Sequence, residues 1–459
     1  MSGFQVQSES QAATGAGSRA VSRVAALVIC AYFLYFAAGA LRARFAADDM
    51  MNLGQAYERG APRVLFDTIA VWSDAYRPTG GLFYLLMYYA FGLNPMPYRI
   101  ALLAIIAGNV YLTWRIALRI TASEAAAALA ATLACAHANM VAIYHQTSFV
   151  YDVLAYFFLA LMLVLHIEGR SRAGVVLAYF AAINAKEIAM IGALWVFAYD
   201  VLIARPRRWF VPIVLLAMTL VYAAGRLFGP GALGQLQPYR MELNLHRFAV
   251  NNRLYLNDLL YVSYFDNSRK LLLFWAALAL LCGLLRSREL WWCWFMALTA
   301  TLPISFTIVP RAGPGLYLAL LAWALWIAML LAAIARWLPR PGWRWFAAAL
   351  IAAPVAAQTI SLWGNRTQRV LDEQRKTWSV ITQLRDLGSR PEPHSRVIFL
   401  SNPFEDWDTY FAARLLWRDR SIDIQLANKL DVPPSAADLD RFDWILTFEN
   451  GNIRTVRRR

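Results

Sequence analysis

The sequence predicts an all-α polytopic membrane protein with a small α/β module at its C-terminal end. Apolar residues make up 59% of the 459-residue chain and aromatic residues 14%, which excludes an ordinary soluble globular protein. Apolar stretches long enough to cross a bilayer recur up to residue 363 and predict about 11 or 12 transmembrane helices. Beyond that residue the chain becomes polar, and short alternating segments replace the long apolar runs.

The N-terminal region predicts a flexible tail over residues 1–20, followed by a membrane anchor. These residues are polar and small, and they lack the apolar core and cleavage site of a removable signal peptide. We therefore expect the apolar run from Val21 to Leu41 to be retained as the first span.

The cysteines all fall in apolar runs without metal-ligand spacing, which predicts packing thiols: Cys30, Cys135, Cys282 and Cys293.

The net charge of +15 predicts a lipid surface, not nucleic acid, as the anionic partner, because arginines concentrate at the ends of the apolar spans. The positive-inside rule assigns those ends to the cytoplasm. Two large outer loops then follow, at 42–80 and 229–268, and the tail from residue 364 also lies outside. This map requires 81–93, with about 13 apolar residues, to be a partial or re-entrant helix. A full span there would place the tail in the cytoplasm.

The map divides the chain into a transmembrane domain, residues 21–363, and a soluble α/β module, residues 364–459. Two helices are predicted in the module from the patterns VLDEQRKTWSVITQLRDLG and DTYFAARLLWRD. Three short strands are predicted from SRVIFLSNP, SIDIQL and WILTFE. A module of about 95 residues can bury a modest core. Its sequence contains no phosphate-binding loop, metal-ligand spacing or nucleophile elbow.

An acidic doublet, Asp48-Asp49, follows the first predicted span directly. Two adjacent carboxylates repel each other, so they persist more readily where they bind, catalyse or cap something. One interpretation is that either residue caps a helix beginning near Met50. The other is that the doublet belongs to a functional site at the outer face of the membrane.

Three cations at the outer ends of predicted spans are candidates for binding a phosphate group. Ionisable residues are costly in or near the membrane, so each is a functional candidate. Lys186 lies beside Glu187 between apolar segments, and its alternatives are a structural Lys–Glu pair or an ammonium that reaches the interface. Arg77 precedes a proline turn, and Arg311 lies between two prolines. A guanidinium binds phosphate with two prongs, although an ordinary interfacial arginine is the alternative for Arg77.

Further candidates for substrate binding lie in the outer turns and loops. Tyr76 stands in the proline turn, His145 in the turn that also holds His137, and Arg253 in the aromatic second outer loop. Aromatic and hydrogen-bonding side chains suit sugars, but a loop resting on lipid headgroups has the same composition. No full set of metal ligands is evident around the histidines, and a packed or interfacial histidine is the alternative for each.

The order of these features resembles the GT-C superfamily of polytopic glycosyltransferases. The similar groups are the protein O-mannosyltransferases, the bacterial aminoarabinose transferases and the lumenal tetratricopeptide mannosyltransferases. The matching segments are ADDMMNLGQAYERG after the first span, YRPTGGLFYLLMYYAFGLNPMPYRIALLAIIAGNVYLTWRIALRI, NAKEIAMIGALWVFAYDVL and VPRAGPGLYLALLAW. They cover roughly residues 20–335. The proline turn lacks the doubled proline of the aminoarabinose transferases, and no tetratricopeptide array follows the matching segments.

The resemblance implies an enzyme of the bacterial inner membrane whose active site faces outside. It would transfer a sugar from a polyprenyl-phosphate donor to an unidentified acceptor hydroxyl. Asp48 is expected to be the general base of an inverting attack, with Asp49 orienting the acceptor, holding a metal or capping the helix. Arg77, Lys186 and Arg311 would stabilise the departing phosphate, and Glu187 would contact substrate. No cofactor is implied with certainty, and a divalent metal is left open.

Two other functions remain compatible with the sequence. A flippase or transporter of lipid-linked sugars would also be polytopic and would also bind the donor. Transporters commonly carry inverted repeats and charges at mid-membrane depth. Here the charges lie mainly at the outer rim, and no symmetry relates the two halves of the sequence. A catalytically inactive relative with a structural role is the third possibility, against which the intact acidic doublet argues.

Overall fold

The computed structural model describes residues 2–70, 72, 77–204, 209–229, 240–337, 341–404 and 406–458, with the side chains of 2–19 and 341 left out. The described chain is mainly helical and ends in one small sheet. Its α-helices are α1 (Ser2–Ala40), α2 (Ala47–Ile69), α3 (Pro78–Phe91), α4 (Pro95–Thr121), α5 (Glu124–Cys135), α6 (Val141–His145), α7 (Val150–Ile167), α8 (Arg172–Ala185), α9 (Gly192–Leu202), α10 (Phe210–Phe228), α11 (Leu245–Leu260), α12 (Ser268–Leu285), α13 (Arg288–Thr299), α14 (Tyr317–Ile334), α15 (Pro341–Asp386), α16 (Asp408–Trp417) and α17 (Ala436–Leu439).

The helical part confirms a multi-pass membrane fold. Within the described residues, seven helices are long and apolar enough to cross a bilayer, or eight if the bent pair α5 and α6 forms one span. This number is lower than the 11 or 12 predicted because several apolar runs divide into short helices. The seven segments are Ala20–Ala40, Pro95–Thr121, Thr147–Ile167, Phe210–Phe228, Ser268–Leu285, Gly313–Trp337 and Gly342–Asp386.

The short helix α3 packs against α2. α3 has 14 residues, about 21 Å of helix, which is less than the thickness of the hydrocarbon core. It therefore has the length that the sequence predicted for a partial helix over 81–93. Pro78 occupies its first turn, where a missing N–H costs nothing, and Arg77 before it takes a left-handed conformation with φ 53°. That conformation sets the direction in which the chain enters α3 at Arg77.

Two element boundaries differ from the sequence-based expectation. α1 begins at Ser2, so residues predicted to form a flexible tail are helical. No proline interrupts them, and polar small residues are compatible with a helix. α15 runs without a break through the predicted boundary at residues 363 and 364. The sequence changes there in polarity, not in helix propensity, so one helix joins the last apolar segment to the module.

The C-terminal module is an α/β unit on a four-stranded sheet of order β2-β1-β3-β4. β1 pairs in parallel with both β2 and β3, and β4 pairs antiparallel with β3. α16 connects β1 to β2, which is the crossover that parallel neighbours require. The three predicted strands are present, and a fourth completes the sheet: β1 (Arg396–Phe399), β2 (Asp423–Leu426), β3 (Trp444–Glu449) and β4 (Asn452–Arg458).

Candidate active site

A cavity of about 280 Å³ lies beside the start of α2. It is lined by six charged side chains, which come from five parts of the fold. Three are cations and three are carboxylates, so the wall is polar and its formal charges balance. They come from α2, the start of α3, α7, the connection between α8 and α9, and the loop before α14: Asp48, Arg77, Asp152, Lys186, Glu187 and Arg311. A cavity with converging charged groups is the expected form of a site for a polar ligand.

The two carboxylates of the doublet occupy different environments. Asp49 is fully buried; it accepts hydrogen bonds from the Ala46 N–H at 2.9 Å and the Ser148 N–H at 2.5 Å. Its Oδ2 also lies 3.2 Å from Nη2 of the buried Arg99. Asp49 therefore caps α2 and fastens it to α4, and it does not line the cavity. The capping interpretation therefore applies to Asp49, in a helix that begins at Ala47 and not at Met50.

Asp48 is the exposed member of the doublet and lies on the cavity wall. Its place is fixed through the backbone, since the Asn52 amide donates to the Asp48 carbonyl at 2.8 Å. Partial burial raises the pKa of the Asp48 carboxyl, and the negative charge of Asp49 raises it further. A carboxylate with a raised pKa holds a proton more tightly than an ordinary aspartate and is a stronger base.

Arg77 is held in a two-pronged ion pair with Glu187. Its Nε lies 3.1 Å from one carboxylate oxygen and its Nη2 lies 2.6 Å from the other. The guanidinium also stacks over the Tyr151 ring, with 5.4 Å from its carbon to the ring centroid. Glu187 is thus placed at the cavity, and its first contact is a protein cation.

Lys186 pairs with Asp152, not with its sequence neighbour Glu187. The ammonium lies 2.5 Å from Asp152 Oδ1, and both side chains line the cavity. The Lys186–Glu187 pair weighed as a structural alternative is therefore not the one that forms. Lys186 is extended, at the break between two helical segments, so consecutive side chains leave in opposite directions and take partners on different helices.

Arg311 reaches the cavity on a loop that α11 supports. The Arg311 N–H donates to the Tyr255 hydroxyl at 3.1 Å, and the Gly313 N–H donates to Asp258 Oδ2 at 2.6 Å. Gly313 has φ 62°, a left-handed conformation that favours glycine. The aromatic second outer loop thus contains a helix whose polar side chains hold the Arg311 loop in place.

Two other predicted substrate contacts lie elsewhere, and a third is outside the described residues. His145 is fully buried, and its Nδ1 lies 3.1 Å from the Val141 carbonyl, so the ring packs inside the protein and does not line the cavity. Arg253 lies within α11 and donates to the carbonyl of Asp266, in the connection between α11 and α12. Tyr76 lies outside the described residues.

Two residues of the cavity wall were not among the predicted site residues. Asp152 is an acidic residue in the first turn of an apolar helix, so the membrane cost that singled out Lys186 also identifies it. Ser148 has a buried hydroxyl without a hydrogen-bond partner on the cavity wall, and only its three-dimensional position reveals it. Within the described ranges, no three His, Cys, Asp or Glu side chains are placed to hold a metal ion. The described residues therefore offer no fit for a divalent metal.

Comparison with known proteins supports the fold. No protein-family model matches the chain, and no curated protein matches its sequence. A search of solved structures finds ArnT from Cupriavidus metallidurans bound to undecaprenyl phosphate, with a TM-score of 0.51 and 14% identity over 89% of this chain and 86% of that one. The apo form of the same protein gives a TM-score of 0.48. The chain therefore shares the fold of ArnT, in agreement with the all-α polytopic membrane fold that the sequence predicted.

Proposed function

We propose that this protein is an integral membrane glycosyltransferase. It moves a sugar from a polyprenyl-phosphate carrier to an acceptor hydroxyl on the extracytoplasmic side of the bacterial inner membrane. The observation that carries this proposal is the convergence of Asp48, Arg77, Lys186 and Arg311 on one cavity. Segments far apart in the sequence supply these four side chains, and a GT-C fold brings them together.

The carboxylate of Asp48 supplies the base for the transfer. One of its oxygens accepts the proton of the acceptor hydroxyl while the acceptor oxygen forms a bond to C1 of the sugar. The bond between C1 and the phosphate oxygen breaks, and its electron pair stays on the phosphate. Attack from the face opposite the phosphate inverts the configuration at C1. Because the phosphate is already a good leaving group, the reaction needs no separate acid.

The cations of the cavity stabilise the charge that develops on the leaving phosphate. Arg77 and Lys186 are each held by a carboxylate of the protein, so the protein itself fixes their positions. Preorganised cations need little rearrangement as negative charge grows, and this is a major source of catalytic stabilisation. Glu187 and Asp152 serve as positioning residues, because they hold the two cations and do not touch the reacting atoms.

Substitution of Asp48 tests the assignment directly. Asp48→Asn should lower transfer at least 10²-fold, since an amide cannot accept the proton, and should leave thermal stability near wild type because the side chain is exposed. The measurement uses radiolabelled sugar on undecaprenyl phosphate in proteoliposomes with a membrane lipid extract as acceptor. Asp266→Asn, an exposed carboxylate outside the cavity, is the control.

The same assay separates the transferase from its two alternatives. Transfer at the wild-type rate by Asp48→Asn would contradict the assignment of the base. Movement of the labelled lipid across the bilayer without any transfer would identify a carrier. Retention of undecaprenyl phosphate binding with neither transfer nor movement would identify an inactive relative. Each of these outcomes overturns the proposal.

A further inference from the structure

The C-terminal module contacts α2, the helix that carries Asp48. A β-carbon at Gly54 would lie only 2.3 Å from the Phe411 ring, so the two helices approach as closely as glycine permits. One turn further along α2, Glu58 accepts a hydrogen bond from the Tyr410 hydroxyl at 2.5 Å and lies 3.5 Å from Arg414 Nε. From the Gly54–Phe411 contact to the Glu58–Arg414 contact, the residues advance in the same direction along both helices. The N-terminal ends of α2 and α16 therefore lie side by side.

A second contact joins the module to the segment just before α2. The Gln374 amide on α15 donates to the His145 carbonyl at 2.6 Å and accepts from the Arg44 N–H at 2.9 Å. Its neighbour Glu373 accepts from the Gln146 amide at 3.3 Å. α15 is thus fixed both to the segment before α2 and to the segment after α6. Asp48 lies between α15 and the start of α16.

Three carboxylates from these two elements interact electrostatically with Asp48, in addition to Asp49 on its own helix. Glu373 comes from α15, Asp406 from the segment before α16, and Asp408 from the first turn of α16. Asp408 is nine-tenths buried, whereas the side chain of Asp406 is 84% exposed. The facing cations are Lys376, near Asp408, and Lys429, whose ammonium lies 3.7 Å from Asp406.

Resting on the proposed function, we propose that the C-terminal module is part of the active site, where Asp406 and Asp408 act as positioning residues for Asp48. Neither lines the cavity that holds the phosphate-binding cations. They approach Asp48 from the module, so the base lies between the cavity and the module. The close contact at Gly54 and the ion pair at Glu58 hold α16 in this position along α2.

The chemical effect of the module is to make Asp48 a stronger base. Burial raises the pKa of Asp48, and the charges of Asp49, Glu373 and Asp406 add to that effect. Burial and the charge of Asp48 likewise raise the pKa of Asp408 to about 6. Asp48 must be ionised to accept a proton, so activity rises as the pH passes through its pKa. Removing a neighbouring negative charge lowers that pKa.

The pH dependence of kcat/KM tests the proposal. In Asp406→Asn, the acidic limb should move to lower pH by about half a unit, because a nearby charge is lost. Asp408, with a pKa of about 6, is ionised only above that pH, so Asp408→Asn should change the plateau and leave the acidic limb in place. The plateau of kcat should fall about twofold to tenfold, because the base is weaker, while KM for the donor is unchanged. Asp431→Asn, an exposed carboxylate of the same module, should match wild type in all three quantities.

The variants separate a role in positioning from a role in folding. Asp406 is so exposed that its substitution should not affect folding, which keeps the test valid if Asp408→Asn is unstable. An unmoved acidic limb in Asp406→Asn, together with a wild-type plateau in folded Asp408→Asn, would overturn the proposal. Asp48→Asn is measured in parallel. If it is inactive while the other two profiles match wild type, the module proposal alone fails; if it is fully active, the proposed function fails first.

Discussion

At the scale of single residues, the two adjacent aspartates of the doublet have different roles. Asp49 is structural, and Asp48 is the proposed base. Asp49 is fully buried and binds two backbone N–H groups and Arg99, whereas Asp48 one position earlier is exposed. A buried carboxylate that loses its partner is expensive, so Asp49 and Arg99 fix the N-terminal end of α2. The reactive carboxylate is therefore held by its neighbour and keeps its own oxygens available.

The pairing of Lys186 with Asp152 gives a prediction that separates phosphate binding from structural support. Lys186→Met should weaken the binding of undecaprenyl phosphate about 10-fold to 100-fold, because a charge-assisted hydrogen bond is lost. It should also lower the melting temperature, since Asp152 is left buried and unpaired. Binding is measured by titration in detergent and stability by thermal unfolding.

The double variant Lys186→Met/Asp152→Asn is the matched control, because it removes the unpaired charge as well. We expect its melting temperature to recover and its affinity for undecaprenyl phosphate to stay low. Recovery of both quantities would show that Lys186 only balances Asp152. Asp431→Asn, which lies far from the pair in the sequence and on the module surface, should change neither quantity.

The sequence identified the candidate cations but not their partners. The membrane cost of a charge singles out Lys186, and helix-breaking residues single out Arg77 and Arg311. Partners depend on which helices pack together, as Arg77 and Glu187 show at a separation of 110 residues. For the same reason the sequence left open whether His145 contacts substrate or packs inside the protein, and the structure shows that it packs inside.

At the scale of elements, the contact between α2 and α16 depends on one glycine. Gly54→Ala should displace the Phe411 ring and lower the free energy of unfolding by about 1–3 kcal/mol, because overpacking forces a helix to move. In an unpacked helix the same change would instead stabilise by about 0.5–1 kcal/mol. Thermal unfolding and protease cleavage of the module measure the effect.

A compensating substitution checks that the contact itself is responsible. Phe411→Ala removes the ring, so Gly54→Ala/Phe411→Ala should be less destabilised than the sum of the two single variants. Additive effects would mean that Gly54 matters for another reason. Gly342→Ala, where a β-carbon meets nothing within 4 Å, is the control glycine in another helix.

The elements of the module could be predicted from local patterns, whereas their junction with the membrane domain could not. Alternating apolar residues identify β1, β2 and β3, and β4 lacks this signal because its side chains are mostly exposed. The continuity of α15 was missed because a change in polarity looks like a domain boundary. The proximity of Asp408 to Asp48 arises from that junction, across 360 residues of sequence, and leaves no local pattern.

At the scale of the whole molecule, the packing of the module against α2 requires that Asp48 and the C-terminal tail lie on the same side of the membrane. The contacts of Phe411 with Gly54 and of Tyr410 with Glu58 cannot form across a bilayer. The positive-inside rule places the loop between α7 and α8 on the opposite side, since Arg170 and Arg172 stand there. The side of the membrane on which the module lies and the side on which the loop between α7 and α8 lies can therefore be tested with one reagent.

Cysteine labelling decides the orientation. Asp431→Cys should react with a membrane-impermeant maleimide added to intact spheroplasts, because residue 431 is exposed on a module predicted to face outside. Ala173→Cys, exposed at the start of α8, should react only after lysis. The wild-type chain is the control, since Cys30 lies in an apolar span and the other three cysteines are buried. Labelling of Ala173→Cys before lysis and of Asp431→Cys only after it would invert the map. That result would place Asp48 in the cytoplasm and contradict transfer on the outer face.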